Sequence, residues 1–335
     1  MHPTIQALAP PISAKRDPAL EAIITRRLPL VYTGGADAAL DRPAHVRAGS
    51  SLAWFGGRLA VVQDDASFIA LIDPLHDRID ALPLPAGEDG VRQFDDARGN
   101  KQHKRDWEAC TTISTSSGEC LWAFGSGSTE RREFIAIVHP AGRIETFDAS
   151  GLYRELRRQK AFSGSQLNVE GAVFRDGCIR LFNRGNGARR DGLGPVNATC
   201  DIDARALEAR LRSPDACPAP PLERLAQYEL GRLHGTPLTF TDAVATDPGI
   251  FYLASAEDSA DAVTDGAVSG SAIGIVDSRG CRWIELCEAD GTVSRIKTEG
   301  IATVPGRDKV LYAVVDADDP ARPSELCEVA LRGAW

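Results

Sequence analysis

The sequence has little that would place it in a membrane or on a nucleic acid. No window approaches the ~18 uninterrupted apolar residues that a membrane-spanning helix requires. The net charge of −9 at pH 7 disfavours a nucleic-acid partner, because such proteins need a basic surface. The first residues contain no basic stretch followed by an apolar core, so we expect a cytoplasmic protein without a signal peptide, although a leader removed upstream stays possible.

The common catalytic and metal-binding signatures are also missing. The eight cysteines form no C-x-x-C pair, and the six histidines form no H-E-x-x-H motif. A phosphate-binding Walker loop and a G-x-S-x-G nucleophile elbow are absent as well. Most cysteines lie in apolar, strand-like stretches, which predicts small buried side chains in a reducing compartment.

What the sequence does contain is an internal repeat. An oxygen-bearing residue, a small residue and an apolar run recur, and a second apolar run follows each copy after a turn. The copies are Gly49–Phe55, Asp106–Thr112, Asn168–Gly177, Phe240–Thr246 and Thr298–Val304. Their oxygen-bearing residues are Ser50, Glu108, Glu170, Asp242 and Glu299, with successive spacings of 58, 62, 72 and 57.

These spacings predict an all-β fold, namely a β-propeller. A unit of about 60 residues accommodates four short strands and their loops, which is the size of a propeller blade. The last unit has three clear strands, and Ala22–Tyr32 could supply the fourth and close the ring. We expect five blades, with six possible if residues 1–45 hide a degenerate blade. The predicted organisation is an N-terminal arm, residues 1–20, and a single propeller domain, residues 21–335; Gly151–Gln159 and Ala204–Leu211 look helical.

The repeat also predicts a metal site. The first strand of each blade lines a central channel, so four carboxylates and one hydroxyl would converge there and repel one another. A divalent cation would offset that repulsion, and Ca2+ tolerates such an oxygen ligand set better than Mg2+, although another divalent cation is possible. We therefore predict Ser50, Glu108, Glu170, Asp242 and Glu299 as metal ligands. The alternative is that these residues face solvent or end strands by chance.

The loops after the second strands open on one face of the predicted propeller, where variable loops commonly carry function. We predict a catalytic group of Asp64, Asp65 and Arg184, with Asp65 as a general base. Predicted contacts to a small anionic substrate are Lys104, Arg131, Arg132, Arg189 and Arg190, because cationic side chains bind phosphate and carboxylate. The alternative is that the arginine pairs are solvated turn residues and that Asp64 and Asp65 only end a strand.

The repeat resembles the calcium-activated nucleotidase (apyrase) family, a five-bladed propeller with calcium in its channel. The resemblance covers about a third of the chain and rests on short strand motifs: Ser50-Ser51-Leu52, Trp107-Glu108-Ala109, Glu170-Gly171-Ala172-Val173, Asp242-Ala243-Val244 and Glu299-Gly300-Ile301-Ala302. Gly57-Arg58-Leu59 followed by Asp64-Asp65 is similar to a family motif whose end faces the nucleotide, and Asn183-Arg184 and Arg189-Arg190 are similar to its phosphate contacts.

The chain departs from that family in three respects. Asp242 stands where the family has a serine, and the long flanking loops differ. The family is also largely secretory, whereas we expect no signal peptide here. The Glu-Gly strand starts and the run Lys104–Glu108 also resemble phytase-like esterase propellers. The resemblance implies a Ca2+-dependent hydrolase of a phosphorylated or otherwise anionic small molecule. The alternatives are a lactonase- or esterase-type propeller enzyme and a non-catalytic binding propeller with a structural ion; the oligomeric state is left open.

Overall fold

The computed structural model describes residues 9–115, 118–258 and 266–335. Three strands come first along the chain. They are β1 (Ile12–Ser13), β2 (Lys15–Arg16) and β3 (Glu21–Pro29). The strands that follow fall into five consecutive groups, which we call units one to five.

Units one and two are antiparallel four-stranded sheets in which strands adjacent in the chain are adjacent in the sheet. Unit one consists of β4 (Gly49–Phe55), β5 (Arg58–Gln63), β6 (Phe68–Asp73) and β7 (Arg78–Pro83). Unit two consists of β8 (Trp107–Thr115), β9 (Gly118–Gly125), β10 (Phe134–Val138) and β11 (Ile144–Asp148).

Units three to five repeat this strand order. Unit three consists of β12 (Val169–Arg175), β13 (Cys178–Asn183), β14 (Asn197–Asp203) and β15 (Glu223–Glu229). Unit four consists of β17 (Thr236–Ala245), β18 (Gly249–Asp258), β19 (Ala267–Asp277) and β20 (Gly280–Cys287), with the short β16 (Arg232–Leu233) beside β17. Unit five consists of β21 (Lys297–Thr303), β22 (Val310–Asp316) and β23 (Glu325–Arg332), and β3 pairs antiparallel with β23.

Short helices connect some of these strands. They are α1 (Ser150–Arg158), α2 (Lys160–Ser163) and α3 (Ala204–Arg212), and single 3-10 turns cover Ala38–Leu40, Glu88–Gly90, Lys101–His103 and Glu130–Arg132. The two helices predicted from the sequence are confirmed as α1 and α3. Within the described residues, no helix is long and apolar enough to cross a membrane.

Local sequence explains the hairpins of the units. Asp176 and Gly177 join β12 to β13 and both have positive φ angles, 52° and 79°. A two-residue turn with positive φ angles matches the twist of the flanking strands, and Asp and Gly adopt it at low cost.

The second strand of unit one, β5, is apolar through most of its length and almost wholly buried, because its sheet packs against a neighbour on each face.

The core consists of five groups of buried apolar side chains, each between two units. One of them contains Val61 of unit one and Val314 of unit five. The first strands β4, β8, β12, β17 and β21 lie side by side in this order, and β21 lies beside β4. Sheets arranged face to face, with their first strands innermost, make a β-propeller, and the space between those first strands is its channel.

The N-terminal segment lies along the outer edges of the sheets. β1 pairs in parallel with β15 of unit three, and β2 pairs in parallel with β20 of unit four. Arg16 and Glu285 form an ion pair at the second contact. Both short strands, Ile12–Ser13 and Lys15–Arg16, fall within the predicted N-terminal arm.

Candidate functional site

Each first strand contains one irregularity at the same place, where its pairing with the second strand shifts by one residue. The extra residue of each bulge is Ser50, Glu108, Glu170, Thr241 and Glu299. Bulges re-aim side chains, and here they recur beside the channel. Four of the five predicted metal residues therefore occupy equivalent positions. In unit four the bulge falls on Thr241, and Asp242 lies one residue further along the strand.

Asp242 is fully buried between the first strands. Its Oδ2 accepts hydrogen bonds from Ser51 Oγ at 3.1 Å and from the Ile301 backbone amide at 2.9 Å. Burial raises the pKa of Asp242 well above its usual range despite these donors. The pairing register of β17 with β18 therefore makes Thr241, and not Asp242, the equivalent of the other four bulge residues. The sequence prediction aligns Asp242 with them instead.

Three carboxylates converge at the unit-two side of the channel. One oxygen from each of Asp64, Asp106 and Glu108 lies within 4.8 Å of the others; we call them the Asp64 cluster. The ammonium of Lys104 lies between two of them, 2.6 Å from Asp64 Oδ2 and 2.7 Å from Asp106 Oδ1. Arg132 Nη1 lies 2.8 Å from Asp106 Oδ2. The cluster therefore carries internal counter-charges.

The electrostatics of the Asp64 cluster differ between its members. Burial and the charge of Glu170 raise the pKa of Glu108 well above its usual range. Burial also acts to raise the pKa of Asp106, but Lys104 and Arg132 outweigh it, and the pKa falls below its usual range. The cluster therefore combines a carboxyl group whose pKa is lowered by two neighbouring cations with one whose pKa is raised by burial and by neighbouring carboxylates.

A second group lies across the channel, and we call it the Arg184 cluster: Glu170, Arg184, Glu257, Lys297 and Glu299. Arg184 lies 2.5 Å from Glu257, 3.4 Å from Glu170 and 3.8 Å from Glu299. Lys297 Nζ lies 3.2 Å from Glu299 Oε1. Burial raises the pKa of Glu170 to about 8, although Arg184 opposes the shift. Among the described residues, Glu299 Oε2 has no hydrogen-bond partner.

A cavity of about 170 Å³ opens at the mouth of the channel, and Asp64 is the member of the Asp64 cluster that lines it. Its wall carries seven aspartates and two lysines: Asp64, Asp65, Asp95, Asp96, Asp316, Asp318, Asp319, Lys101 and Lys104. Burial, together with the charge of Asp64, raises the pKa of Asp65 to about 7, although Arg47 opposes the shift. We call this the mouth cavity; its wall is strongly acidic.

The arginines predicted to contact substrate, and Arg184 of the predicted catalytic group, do not line the mouth cavity. Arg132 and Arg184 are buried and engaged with channel carboxylates. Arg189 and Arg190 are exposed at a turn after β13. Arg131 is exposed, and its Nη1 donates to His103 Nδ1 at 2.8 Å. Of the predicted substrate contacts, Lys104 alone lines the mouth cavity.

Asp106 and Lys297 are site residues that the sequence reasoning missed. Both lie two positions before a bulge, where the other units have Ala48, Asn168 and Thr239. The backbone carbonyls of Ala48, Asp106 and Asn168 accept from the amide of the first residue after the second strand, so in units one to three these two positions lie side by side. This position is polar in four of the five copies, and that pattern was the available signal.

Comparison with solved structures gives similarities of low sequence identity. The chain is similar to a glutaminyl cyclase from Myxococcus xanthus, with 12% identity, 97% of this chain and 100% of that chain covered, and a TM-score of 0.46. It is also similar to a putative glycoside hydrolase from Parabacteroides distasonis, with 10% identity, 92% and 93% covered, and a TM-score of 0.44. The WD40 domain of Neurospora crassa Pan2 gives 7% identity, 95% and 97% covered, and a TM-score of 0.40.

Similarity at this level carries no argument about activity or substrate. No curated protein matches the chain. Residues 45–331 match a family described as a family of unknown function, DUF6929, and the chain belongs to that family.

Proposed function

We propose that the protein is a metal-dependent hydrolase that binds a divalent cation, Ca2+ first, at the channel mouth of a five-bladed propeller. The observation that carries this proposal is the Asp64 cluster, whose three carboxylate oxygens lie within 4.8 Å of one another and whose Asp64 lines the mouth cavity. Three hard oxygen donors at this spacing suit Ca2+, which completes its shell with water and substrate oxygens.

The five-bladed ring is supported by its two ends. Strand β3 from the N-terminal segment pairs with β23, and β21 lies beside β4. A closed ring of this kind leaves no open strand edge where the chain begins and ends. It also brings Asp64 of unit one and Glu108 of unit two to one side of the channel and Glu299 of unit five to another.

The residues present fit a cation in number and kind. Asp64, Asp106 and Glu108 would hold it, and Ser50, Glu170 and Glu299 remain candidates at the other bulges. Asp242 fits less well, because it lies one residue past the bulge of unit four and outside the Asp64 cluster. When bound, the cation would polarise a substrate oxygen and make a coordinated water more acidic.

The protein's own contribution is a positioned base. Arg47 donates to Asp65 Oδ2, with its Nη2 at 2.6 Å, while Asp65 Oδ1 has no hydrogen-bond partner within the described residues. A carboxylate with a pKa of about 7 can accept a proton near neutral pH, as a general base must. Lys104 fixes the orientation of Asp64 beside it.

A phosphorylated or otherwise anionic small substrate belongs to the proposal on one condition. The aspartates of the mouth cavity repel an anion, so its approach requires the cation to be in place. The proposal therefore predicts that substrate affinity, as well as turnover, falls when the metal is removed.

The test is metal binding followed by turnover. Calcium titration calorimetry on chelator-treated protein should show binding that Asp64→Asn and Glu108→Gln each weaken at least tenfold. Glu223→Gln, an exposed carboxylate at a sheet edge, is the matched control and should bind as the unaltered protein does. Phosphate release from a nucleoside diphosphate should then require the metal. Calcium binding that is undiminished in both cluster variants would refute the site.

A second candidate is a binding propeller without catalysis, in which the channel charges are structural. The observation that favours it is that Lys104, Arg132, Arg184 and Lys297 each already pair with channel carboxylates. Two results together would support this candidate. The purified protein would carry no metal, and it would turn over neither the nucleotide nor a panel of chromogenic esters and lactones. Turnover of an ester or lactone alone would instead favour the esterase alternative.

A further inference from the structure

A second cavity, about 810 Å³, lies beside the mouth cavity between units one and two. Phe94 lines both cavities, so the two cavities adjoin at this residue. Val91 and Phe134 give the second cavity an apolar wall, and Arg105 and Arg131 bring two guanidinium groups to it. We call it the Arg105 groove.

Arg105 differs from the other arginines near the channel. It is half-buried, and its guanidinium lies over the ring of Phe134, 4.4 Å from the ring centroid. Within residues 9–115, 118–258 and 266–335, no carboxylate or carbonyl pairs with that guanidinium, whereas Arg47, Arg132 and Arg184 are each held by an acid. Burial lowers the pKa of Arg105, and no neighbouring acid counteracts it.

The guanidinium of Arg105 is only half-buried and lines the groove, so its N–H groups, which have no acceptor within the described residues, are available to a ligand there. Removing a charged donor from water without a partner is costly, and proteins normally compensate for it with a hydrogen-bonded counter-charge. Stacking on Phe134 fixes the plane of the guanidinium and leaves its edge, with the N–H groups, free to approach a planar acceptor. The geometry is that of an anion-binding arginine prepared in advance.

A second donor lies on the same wall. Because Arg131 donates to His103 Nδ1, the imidazole carries its proton on Nε2 and can donate from there. Glu88, Asp89 and Glu130 also line the groove, but they are exposed, so water and salt screen them more than the half-buried Arg105.

We propose that the Arg105 groove binds an oxyanion, a carboxylate or a phosphate, attached to a small apolar body that packs on Phe94 and Phe134. The site goes beyond the proposed hydrolase, because it needs neither a metal nor turnover. Phe94 belongs to the walls of both cavities. If one ligand occupies both sites, its anionic end lies in the Arg105 groove, beside the mouth cavity and away from the aspartates of that cavity.

The experiment uses the full chain with excess chelator and two probes, benzoate for a carboxylate and inorganic phosphate for a phosphate. Titration calorimetry should show saturable binding of at least one probe, weakened tenfold or more by Arg105→Gln. Arg105→Lys keeps the charge without the planar fork and should bind with intermediate affinity. Arg154→Gln, an exposed arginine in α1, is the matched control and should leave the affinity unchanged.

A direct readout accompanies the affinities. The Arg105 side-chain Nε–Hε signal, assigned by its loss in Arg105→Gln, should shift on titration with the probe that binds. Absence of saturable binding of both probes, or equal affinity in Arg105→Gln, would overturn the proposal. Asp64→Asn separates the two sites: it should weaken calcium and leave probe affinity intact, so either site can fail without the other.

Discussion

Ser51 Oγ donates a hydrogen bond to Asp242 Oδ2 over 3.1 Å, although the two residues are 191 positions apart in the chain. Both side chains are fully buried. Ser51 Oγ also accepts from the Cys110 amide at 3.0 Å, and Asp242 Oδ2 also accepts from the Ile301 amide at 2.9 Å. Two side chains thus link the first strands of four units.

Removal of the Asp242 carboxylate should therefore destabilise the whole propeller. In Asp242→Ala, the Ser51 hydroxyl and the Ile301 amide lose their acceptor, and each orphaned buried donor costs about 1–3 kcal/mol. Asp242→Asn keeps an acceptor oxygen and should lose less. Urea unfolding measures both, with Asp308→Ala at an exposed turn as the control.

The same variants test the ring predicted from the sequence. If Asp242 serves only as a link between strands, Asp242→Asn should bind calcium as tightly as the unaltered protein. A tenfold loss of calcium affinity in a variant that remains folded would return Asp242 to the set of metal ligands.

The strands and four of the five equivalent channel residues could be predicted because their signal is local. An oxygen-bearing residue before a small residue recurs at Ser50, Glu108, Glu170 and Glu299, and the structure places a bulge on each. In unit four, both Thr241 and Asp242 carry side-chain oxygens. The choice between them depends on the pairing register of β17 with β18, which a single sequence does not encode locally.

The pairing of the cations could not be predicted for a different reason. The sequence predicts Lys104 and Arg132 as substrate contacts and Arg184 as a catalytic residue, because each lies in a loop near the predicted channel mouth. In the structure, each is bound to a channel carboxylate that comes from another part of its unit or from a neighbouring unit. Sequence proximity to a site does not reveal whether a long cationic side chain points outward or back into the channel.

Glycine substitutions should report how closely the first strands approach one another. A Cβ on Gly300 would lie 2.8 Å from the Ser51 backbone, and a Cβ on Gly171 would lie 3.3 Å from the Asp242 backbone. Gly194 has open space around it and an ordinary φ. We expect Gly194→Ala to leave the free energy of unfolding almost unchanged. Gly171→Ala should lower it, and Gly300→Ala should lower it most, by about 1–3 kcal/mol or more.

Thermal denaturation of the three variants at one pH gives this order. Gly300 belongs to unit five and Ser51 to unit one, so the largest loss should occur where the two ends of the chain meet. A Gly300→Ala protein as stable as Gly194→Ala would mean that units five and one do not pack as described.

Lys104 should act as a substitute for the proposed metal. Lys104→Gln leaves Asp64 and Asp106 without their shared ammonium, and breaking a buried pair costs about 3–5 kcal/mol. Excess calcium should then raise the melting temperature of Lys104→Gln more than that of the unaltered protein, because the ion stabilises the folded state by binding it. Lys309→Gln, an exposed lysine, is the control. Equal calcium-induced shifts in all three proteins would contradict a metal among these carboxylates.

Glu145 should make stability depend on acid pH, away from the channel. Hydrogen bonds from Arg212, which lies in α3, and from His139 lower the pKa of Glu145 to about 2, against 4.5 in its ordinary state. Above pH 4.5 Glu145 is ionised in both the folded and the unfolded chain, so its contacts stabilise the fold fully. Below pH 4.5 the unfolded chain takes up a proton at Glu145 before the folded chain does. The stabilisation is therefore lost as the pH falls towards 2. Urea unfolding at pH 6, 4 and 3 should therefore show Glu145→Gln less stable than the unaltered protein at pH 6, with the difference narrowing at pH 4 and narrowing further at pH 3. Glu223→Gln should show no such closing gap, and a constant difference for Glu145→Gln would mean that its contacts with α3 do not depend on charge.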